Sequence, residues 1–477
     1  MNQRTDISFV LDWKKVSIDF ARDAHLSPNS TLLQFLRSLP NHKGTKEGCA
    51  EGDCGACTVI IAESGSDDIF SYKAVTACLV LLPMIHGKQI LSIENLSTDK
   101  QLHPLQTSYI EHHASQCGFC TPGFIMTSLE LYKSNRKLND SIVKKHLAGN
   151  LCRCTGYQPI IKATNEACLK AKPDLISKGE LKALQLLKGI NNDSFIISYL
   201  DFSYYKPSNL KDLLKIKSSN SSALLINGAT DVALRITKKH EVLSEIIDIS
   251  GIHDLRNIEL NMEFVAIGAG VDLNTLENGL PDDFEALKNI LNQFASQQIR
   301  NLATIGGNIA SASPIGDLLP ILSIYKASVV LVSLSGKREL LIQEFITGYR
   351  KTDLRNDEII VQINIPFPDK SMVFSMFKIS KRQDLDISSV SAAFRLKRSK
   401  DTVEEFEAVY GGMSDSIIRP DSTITYLTGK IWKDNTIQNA LKILQTDFSP
   451  ISDARSSAEG RMQMAGNLLR KFYLENQ

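Results

Sequence analysis

Apolar and polar residues alternate from residue 7 to residue 20: Ile7, Phe9 and Leu11, then Val16, Ile18 and Phe20, with Asp12-Trp13-Lys14-Lys15 between. Period-two alternation on both sides of a short polar break predicts a β-hairpin. Asn29-Ser30-Thr31 offers caps for a short helix carrying Leu32, Leu33, Phe35 and Leu36, which Pro40 ends. A strand begins at Thr58-Val59-Ile60-Ile61. From about residue 104 the apolar spacing changes to three and four, which predicts helices over 104–116, 122–135, 140–148 and 158–170. Residues 171–195, with Pro173, several lysines and Asn191-Asn192-Asp193-Ser194, read as a linker. Beyond it βα-type alternation resumes, with buried strands predicted at 223–226, 245–249, 263–267, 328–333 and 359–365 and a helix at 436–445.

A chain of 477 residues is too long for one ordinary domain and predicts three or four. Its 43% hydrophobic and 22% charged residues are those of a soluble globular protein. A net charge of +1 points to neither nucleic acid nor an anionic membrane surface. No apolar run reaches the ~18 residues that a spanning helix needs. The opening MNQRTDISFVLDWKK lacks the apolar core of a signal peptide, so a cytoplasmic location is expected. No solenoid-type repeat is visible.

Cysteine spacing changes the picture most. Eight of the nine cysteines lie in the first third, in two quartets: Cys49, Cys54, Cys57 and Cys78, then Cys117, Cys120, Cys152 and Cys154. The first reads C-x4-C-x2-C with a fourth cysteine further on, the plant-type ferredoxin arrangement for a [2Fe–2S] cluster. Its loop, Gly48 to Cys57, carries glycines that let backbone N–H groups approach cluster sulfur. A sheet crossed by a helix, with a cysteine loop at one rim, is the β-grasp ferredoxin layout. The second quartet falls at the junctions of the predicted helices, as expected of a small four-helix unit; a second cluster or structural zinc fits its spacing. A disulfide framework does not fit a chain without an export signal. Cys168 is left over and is expected to pack as a small hydrophobe. His112-His113 lies near the second quartet but reads as a surface pair, since four thiolates need no imidazole. Gly268-Ala269-Gly270 opens like a dinucleotide fingerprint, but Leu273 stands where the third glycine belongs, and the fingerprint is rejected.

Three stretches carry a family resemblance: EGCAEGDCGACTV (47–59), QCGFCTPGF (116–124) and GNLCRCTGYQPI (149–160). They resemble the molybdenum hydroxylases, and more narrowly the iron–sulfur and FAD small subunits of bacterial xanthine dehydrogenases. The resemblance implies that both quartets hold [2Fe–2S] clusters. Leu225-Ile226-Asn227-Gly228-Ala229-Thr230-Asp231-Val232 is similar to the family's first flavin loop. Ile299 to Ile309, then Ser313 to Asp317, is similar to the second. Gly228 and Gly306-Gly307 suit close approach to a pyrophosphate; taken alone, such turns are weak evidence and read better as tight structural turns. The family match implies FAD contacts from Thr304, Ile305, Gly306, Gly307, Asn308 and Asp317, with Phe294 near the flavin, Ile360 lining its site and Lys378 reaching it. Lys381 to Ser388 matches the segment beside the NAD approach, where Leu385 interrupts the more acidic run of the animal enzymes. Gln116 is expected to face a partner's cofactor, and Arg153 either balances cluster charge or caps a helix.

The implied fold is α+β and multidomain. It comprises a β-grasp 2Fe-2S ferredoxin domain (1–95), a four-helix 2Fe-2S domain (96–172), a linker (173–195), an α+β FAD-binding domain of the vanillyl-alcohol-oxidase/CO-dehydrogenase flavoprotein type (196–370) and a CO dehydrogenase flavoprotein-like α+β C-terminal domain (371–477). The C-terminal domain, including Tyr410-Gly411-Gly412-Met413, is expected to pack under the flavin. The implied role is electron transfer from a molybdopterin-binding large subunit, through the clusters and FAD to NAD, during hypoxanthine or xanthine oxidation. No residue of this chain need be catalytic, and a dimer of heterodimers is expected. The alternatives are an aldehyde, nicotinate or carbon monoxide hydroxylase small subunit, and a non-catalytic metal-binding module with zinc.

Overall fold

The structure, a computed structural model, describes residues 2–65, 67–98, 101–134, 137–170 and 174–477. The chain forms two compact units. One comprises Met1–Ile216, Ser222–His253 and Ala295–Ala303; the other comprises Lys217–Ser221, Asp254–Phe294 and Thr304–Gln477. The region expected to bind flavin, 196–370, therefore contributes to both.

In the first unit the predicted hairpin is the pair Asp6–Leu11 and Lys14–Asp19. Its two-residue loop, Asp12-Trp13, has φ of +47° and +66°, the doubly positive pattern that matches strand twist. The hairpin enters a five-stranded sheet in the order Lys14–Asp19, Asp6–Leu11, Gln89–Leu91, Thr58–Ser64, Phe70–Thr76. The helix Leu32–Ser38 starts at Thr31, whose side chain accepts from Gln34 N while Gln34 Oε1 accepts from Thr31 N, a capping box. Ile7, Phe9, Leu32, Leu36, Val59 and Ile61 share one core, which is the β-grasp arrangement.

Four helices follow: Pro104–Glu111, Thr121–Lys133, Asp140–Leu147 and Gln158–Leu169. The first is shorter than its apolar spacing suggests. His113 adopts φ of +53° and Ala114 N bonds back to Tyr109 O, which ends the helix and leaves 115–120 as a loop. Asn135, the end of the second predicted helix, lies outside the described residues.

The reading of 173–195 as a linker is corrected over most of its length. Leu175–Lys188 is a helix, capped by Asp174 through Ser177 N, with Ile176, Ala183 and Leu187 buried. The lysines between those apolar positions conceal the stripe. Asp174 also holds His103 Nε2 at 3.0 Å and Lys133 Nζ at 2.7 Å, tying this helix to the cluster helices. Pro173 lies outside the described residues.

The unit's second sheet runs Asn2–Arg4, Phe195–Tyr199, Phe202–Lys206, Glu245–Asp248, Leu224–Ile226. The second unit contains a five-stranded sheet in the order Ile258–Leu260, Phe264–Gly268, Ile359–Pro366, Ser328–Ser333, Gly336–Leu341. It also contains a three-stranded meander, Met372–Ile379, Val390–Ser399 and Thr402–Gly411. The helices Asp421–Leu427, Asp434–Asp447 and Ala458–Glu475 pack with that meander around Phe394, Tyr410 and Phe472. No helix among the described residues is long and apolar enough to cross a membrane.

Asp248 lies at the end of the strand beside Ile226, with no exposed surface. Burial opposes its charge, but Lys206 Nζ at 2.6 Å and hydrogen bonds from the Ser250 side chain and from Tyr204 OH at 2.7 Å outweigh it and hold the carboxyl below its usual value. The stability this carboxylate contributes is present above the ordinary carboxylate value of about 4 and lost as pH falls through the lower folded value. Lys206→Met is expected to lower stability at neutral pH by about 3–5 kcal/mol, since it strands a buried charge. A fall in the urea midpoint checks this.

Candidate metal centres and flavin loops

The first quartet is assembled by a strand pair and the loop that precedes it. Thr58 pairs with Thr76 in the hairpin Thr58–Ser64/Phe70–Thr76, so the residues just outside that rung, Cys57 and Cys78, meet at one rim. Ala77 N bonds to Cys57 O, and the two sulfurs are 3.5 Å apart. Both are buried. Cys49 and Cys54 form the other half. The Cys54 thiol donates to Cys49 Sγ, and the amides of Glu51 and Asp53 point at the same sulfur from 3.4 and 3.3 Å. The shared proton and these amides hold Cys49 down to about 5, and the same pairing pushes Cys54 up.

The second quartet sits where the helices meet. Cys117 and Cys120 lead into the helix Thr121–Lys133, and Cys152 and Cys154 bridge the helices Asp140–Leu147 and Gln158–Leu169. Cys154 and Cys117 sulfurs are 3.7 Å apart. Cys120 and Cys152 form the second pair; burial and the hydrogen bond to Cys152 push Cys120 up to about 12. Thr155 Oγ1 lies 3.2 Å from Cys152 Sγ, and Tyr157 OH accepts from Cys152 N at 3.0 Å.

Each quartet therefore resolves into two sulfur pairs. Two thiolates on one tetrahedral metal at ~2.3 Å stand about 3.7 Å apart, which both measured separations approach. Among the described residues no three metal-ligating side chains converge on a single ion position. Two sulfur pairs per quartet match the two irons of a binuclear cluster, each of which takes two thiolates. The residues present thus fit two [2Fe–2S] clusters.

The quartets differ in exposure: Cys57 and Cys78 are buried, whereas Cys117 and Cys154 are exposed beside exposed Gln116, Phe119, Leu151 and Arg153. His112 is held by Glu166, 2.6 Å away, and His113 is exposed. Cys168 packs against the helical core, where burial pushes it up to about 12.

The first flavin loop, 225–232, follows the strand Leu224–Ile226 in the first unit. Gly228 is obligatory there, since a Cβ would collide with the Leu302 carbonyl. Ala229 takes φ of +56°, and Asp231 is exposed. In the second unit Thr304 caps the short helix Ile305–Ala310 by accepting from Gly307 N at 3.1 Å. Gly306 N bonds to Ala269 O and Ile305 N to Val271 O. Asn308 Oδ1 is buried without a hydrogen-bond partner, an orphaned acceptor of the kind that a bound ligand satisfies. This open acceptor and the glycine turn fit a flavin nucleotide.

Asp317 and Lys378 are brought together. Lys378 Nζ lies 2.9 Å from Asp317 Oδ2 and donates to Gln293 O at 3.2 Å, next to Phe294. Ser388, at the end of the 381–388 segment, donates to Asp317 Oδ1. Ile360 is buried in the strand Ile359–Pro366 opposite Leu331. Sequence reading did not identify Ser388 as a partner of Asp317. It also missed Arg461, whose guanidinium donates to Ser389 O and Gly412 O. Thr58, Thr127, Asn150 and Gln298, buried between the cysteine loops, were missed too; the signals were Thr58 and Asn150, which lie inside the cysteine motifs 47–59 and 149–160.

Four family models match the chain. A 2Fe-2S iron–sulfur cluster binding domain matches residues 21–82, a [2Fe-2S] binding domain 92–165, a FAD binding domain in molybdopterin dehydrogenase 200–368, and a CO dehydrogenase flavoprotein C-terminal domain 375–476. Xanthine dehydrogenase of Emericella nidulans is 32% identical over 93% of this chain and 36% of its own length. Xanthine dehydrogenase/oxidase of Gallus gallus is 29% identical over 98% of this chain and 40% of its own. Aldehyde oxidase 2 of Macaca fascicularis is 28% identical over 98% and 39%. The chain thus spans 40% or less of the length of these curated relatives. Among solved structures, a chain of carbon monoxide dehydrogenase from Hydrogenophaga pseudoflava superposes with a TM-score of 0.54 at 24% identity, over 57% of this chain and 95% of that one. One of quinoline 2-oxidoreductase from Pseudomonas putida 86 does so with 0.54 at 21%, over 58% and 97%. These two likenesses show the fold alone.

With two irons per four-thiolate set, Cys78→Ser is expected to remove the first centre alone and Cys154→Ser the second alone. Each variant should hold about half the wild-type iron, and colorimetric iron analysis checks this.

Proposed function

From the premise that this chain belongs to the molybdenum hydroxylase family as its iron–sulfur and flavin portion, we propose that it is the electron-transfer small subunit of a xanthine dehydrogenase. In this role it carries electrons from a molybdopterin-binding partner through two [2Fe–2S] clusters to FAD and then to NAD, while hypoxanthine or xanthine is oxidised on the partner. The observation that carries the reading is the two-by-two arrangement of thiolates in both quartets, on a chain that also holds a flavin-type domain. Clusters pass single electrons and nicotinamide accepts two, so a flavin is the chemical junction between them.

The residues divide the work. Cys49, Cys54, Cys57 and Cys78 hold one cluster, and Cys117, Cys120, Cys152 and Cys154 the other. The amides of Glu51 and Asp53 aimed at Cys49 Sγ stabilise added negative charge at the first centre, a hydrogen-bonding lever on its potential. The exposed rim of the second quartet, with Gln116 and Phe119, supports docking of the partner there and arrival of electrons at that cluster first. Residues 225–232, Thr304 to Asn308, Phe294, Ile360, Asp317 and Lys378 are proposed to hold FAD. Asn308 Oδ1 has acceptor capacity to offer, and Asp317 acts through its fixed position beside Lys378. The proposed domains are those of the sequence reading, with the helix Leu175–Lys188 inside 173–195. A cytoplasmic dimer of heterodimers is part of the proposal.

A second reading, the corresponding portion of an aldehyde, nicotinate or carbon monoxide type hydroxylase, is favoured by the likeness to aldehyde oxidase. Every residue argument serves it equally, and the partner's substrate separates the two.

The anaerobically purified chain is expected to hold about four irons and bound flavin, with visible bands that bleach on adding NADH. Zinc in place of iron, with no flavin, refutes the proposal. Asp317→Asn is expected to weaken FAD binding by about ten-fold or more, the effect of losing a charged hydrogen bond of ~1.5–3 kcal/mol. Fluorescence of released flavin measures it.

A further inference from the structure

Four polar side chains from separate stretches of the chain meet where the cysteine loops touch, and all four are buried: Thr58, Thr127, Asn150 and Gln298. Gln298 belongs to the short helix Gln297–Arg300, just ahead of the second flavin loop, and has no exposed surface. Its Nε2 faces Asn150 Oδ1 at 2.8 Å, Thr127 Oγ1 at 2.9 Å and Thr58 Oγ1 at 3.3 Å. Thr127 Oγ1 also lies 2.7 Å from Asn150 Oδ1. Asn150 Nδ2 and Thr58 Oγ1 both donate to Gly55 O, at 3.0 and 2.7 Å. Gly55 stands between Cys54 and Cys57, and Asn150 stands two residues before Cys152. Beside this hub, Leu151 N donates to Cys54 O at 3.0 Å. That bond joins the two cysteine loops directly, since Cys54 belongs to one quartet and Leu151 adjoins Cys152 of the other.

We propose that Gln298 is a positioning residue that holds the two cysteine loops in register through this hub, maintains the Cys54–Leu151 hydrogen bond, and so sets the coupling between the two metal centres. A long amide is suited to the task. It supplies donors to acceptors of both loops at once, in a site where all four side chains are buried. Its Oε1 lies against Gly149, where a Cβ would collide with it, and is buried without a hydrogen-bond partner. The coupling part of the proposal rests on the reading of both quartets as [2Fe–2S] clusters; the hub itself does not.

The test uses the full chain, purified anaerobically, as wild type and as Gln298→Met, which keeps length and apolar volume but removes the amide. Iron is measured first. Hydrogen exchange then reads the Leu151 amide, and electron paramagnetic resonance of the dithionite-reduced protein reads the splitting between the two reduced clusters. The expected result is retained iron, about ten-fold faster exchange at Leu151, as for a lost buried partner, and loss of the splitting. A variant with full iron, wild-type exchange and wild-type splitting overturns the proposal. If Gln298→Met does not fold or loses iron, Thr127→Val, which removes one hydroxyl of the hub, is measured in the same two ways, and wild-type values in both overturn the proposal equally. A wild-type chain without iron refutes the cluster reading instead, and the Leu151 exchange still decides the role of Gln298.

Discussion

The first unit depends on bringing two cysteine loops of different origin into direct backbone contact. One loop rims a β-grasp sheet and the other joins helices, and neither has a regular ladder to satisfy its peptide groups. Gly55 shows the cost of the approach: it takes φ of +67°, and a Cβ on it would strike Gly149 O and Asn150. Its carbonyl would be stranded without Asn150 and Thr58. The hub is multiply bonded through its donors, while Gln298 Oε1 is buried without a hydrogen-bond partner.

The flavin halves follow the same logic with charge. Asp248 and Lys206 are paired beside the strand that leads into the candidate flavin loop 225–232, and Asp317 and Lys378 are paired out of solvent in the second unit. Buried pairs of this kind contribute little net stability, because desolvation offsets the attraction, yet removing either partner is severe. Their value lies in fixing one arrangement. Within the second unit the 381–388 segment is tied down at its end from both sides: Ser388 bonds to Asp317, and Arg461 of the last helix grips Ser389 O. The C-terminal helix thereby acts on the segment that the family resemblance places beside the acceptor. Asp453, bonded to Arg461, is held down to about 2 despite the opposing effect of desolvation, by backbone amides and that guanidinium.

Much of this was legible beforehand because local chemistry is written locally. The hairpin, the Thr31 cap, the four cluster helices and the five buried strands follow from period, caps and turn residues. Cysteine spacing pointed to the first metal centre, whereas the second centre and both flavin loops were expected only through the family resemblance. Where reading failed, the cause was a long-range partner. The helix Leu175–Lys188 was hidden because lysines interrupt its apolar stripe, and its cap, Asp174, is explained only by His103 and Lys133 far away in sequence. The first cluster helix ended early because His113 turns left-handed to release the cysteine loop, a demand of the site rather than of propensity.

The sequence by itself determined where thiolates gather and that the first quartet has ferredoxin spacing, since thiolate number and spacing dictate what a loop can ligate. It also determined the element types, because hydrophobic period is a local property. Tertiary structure alone decided which sulfurs pair, that half of the second quartet faces solvent while half of the first is buried, and that Gln298 stands between the two loops. Those outcomes depend on residues far apart in the chain, such as 58, 127, 150 and 298, meeting in one buried place. No spacing records such a meeting, because a polar side chain in isolation looks the same whether it ends in water or in a shared network.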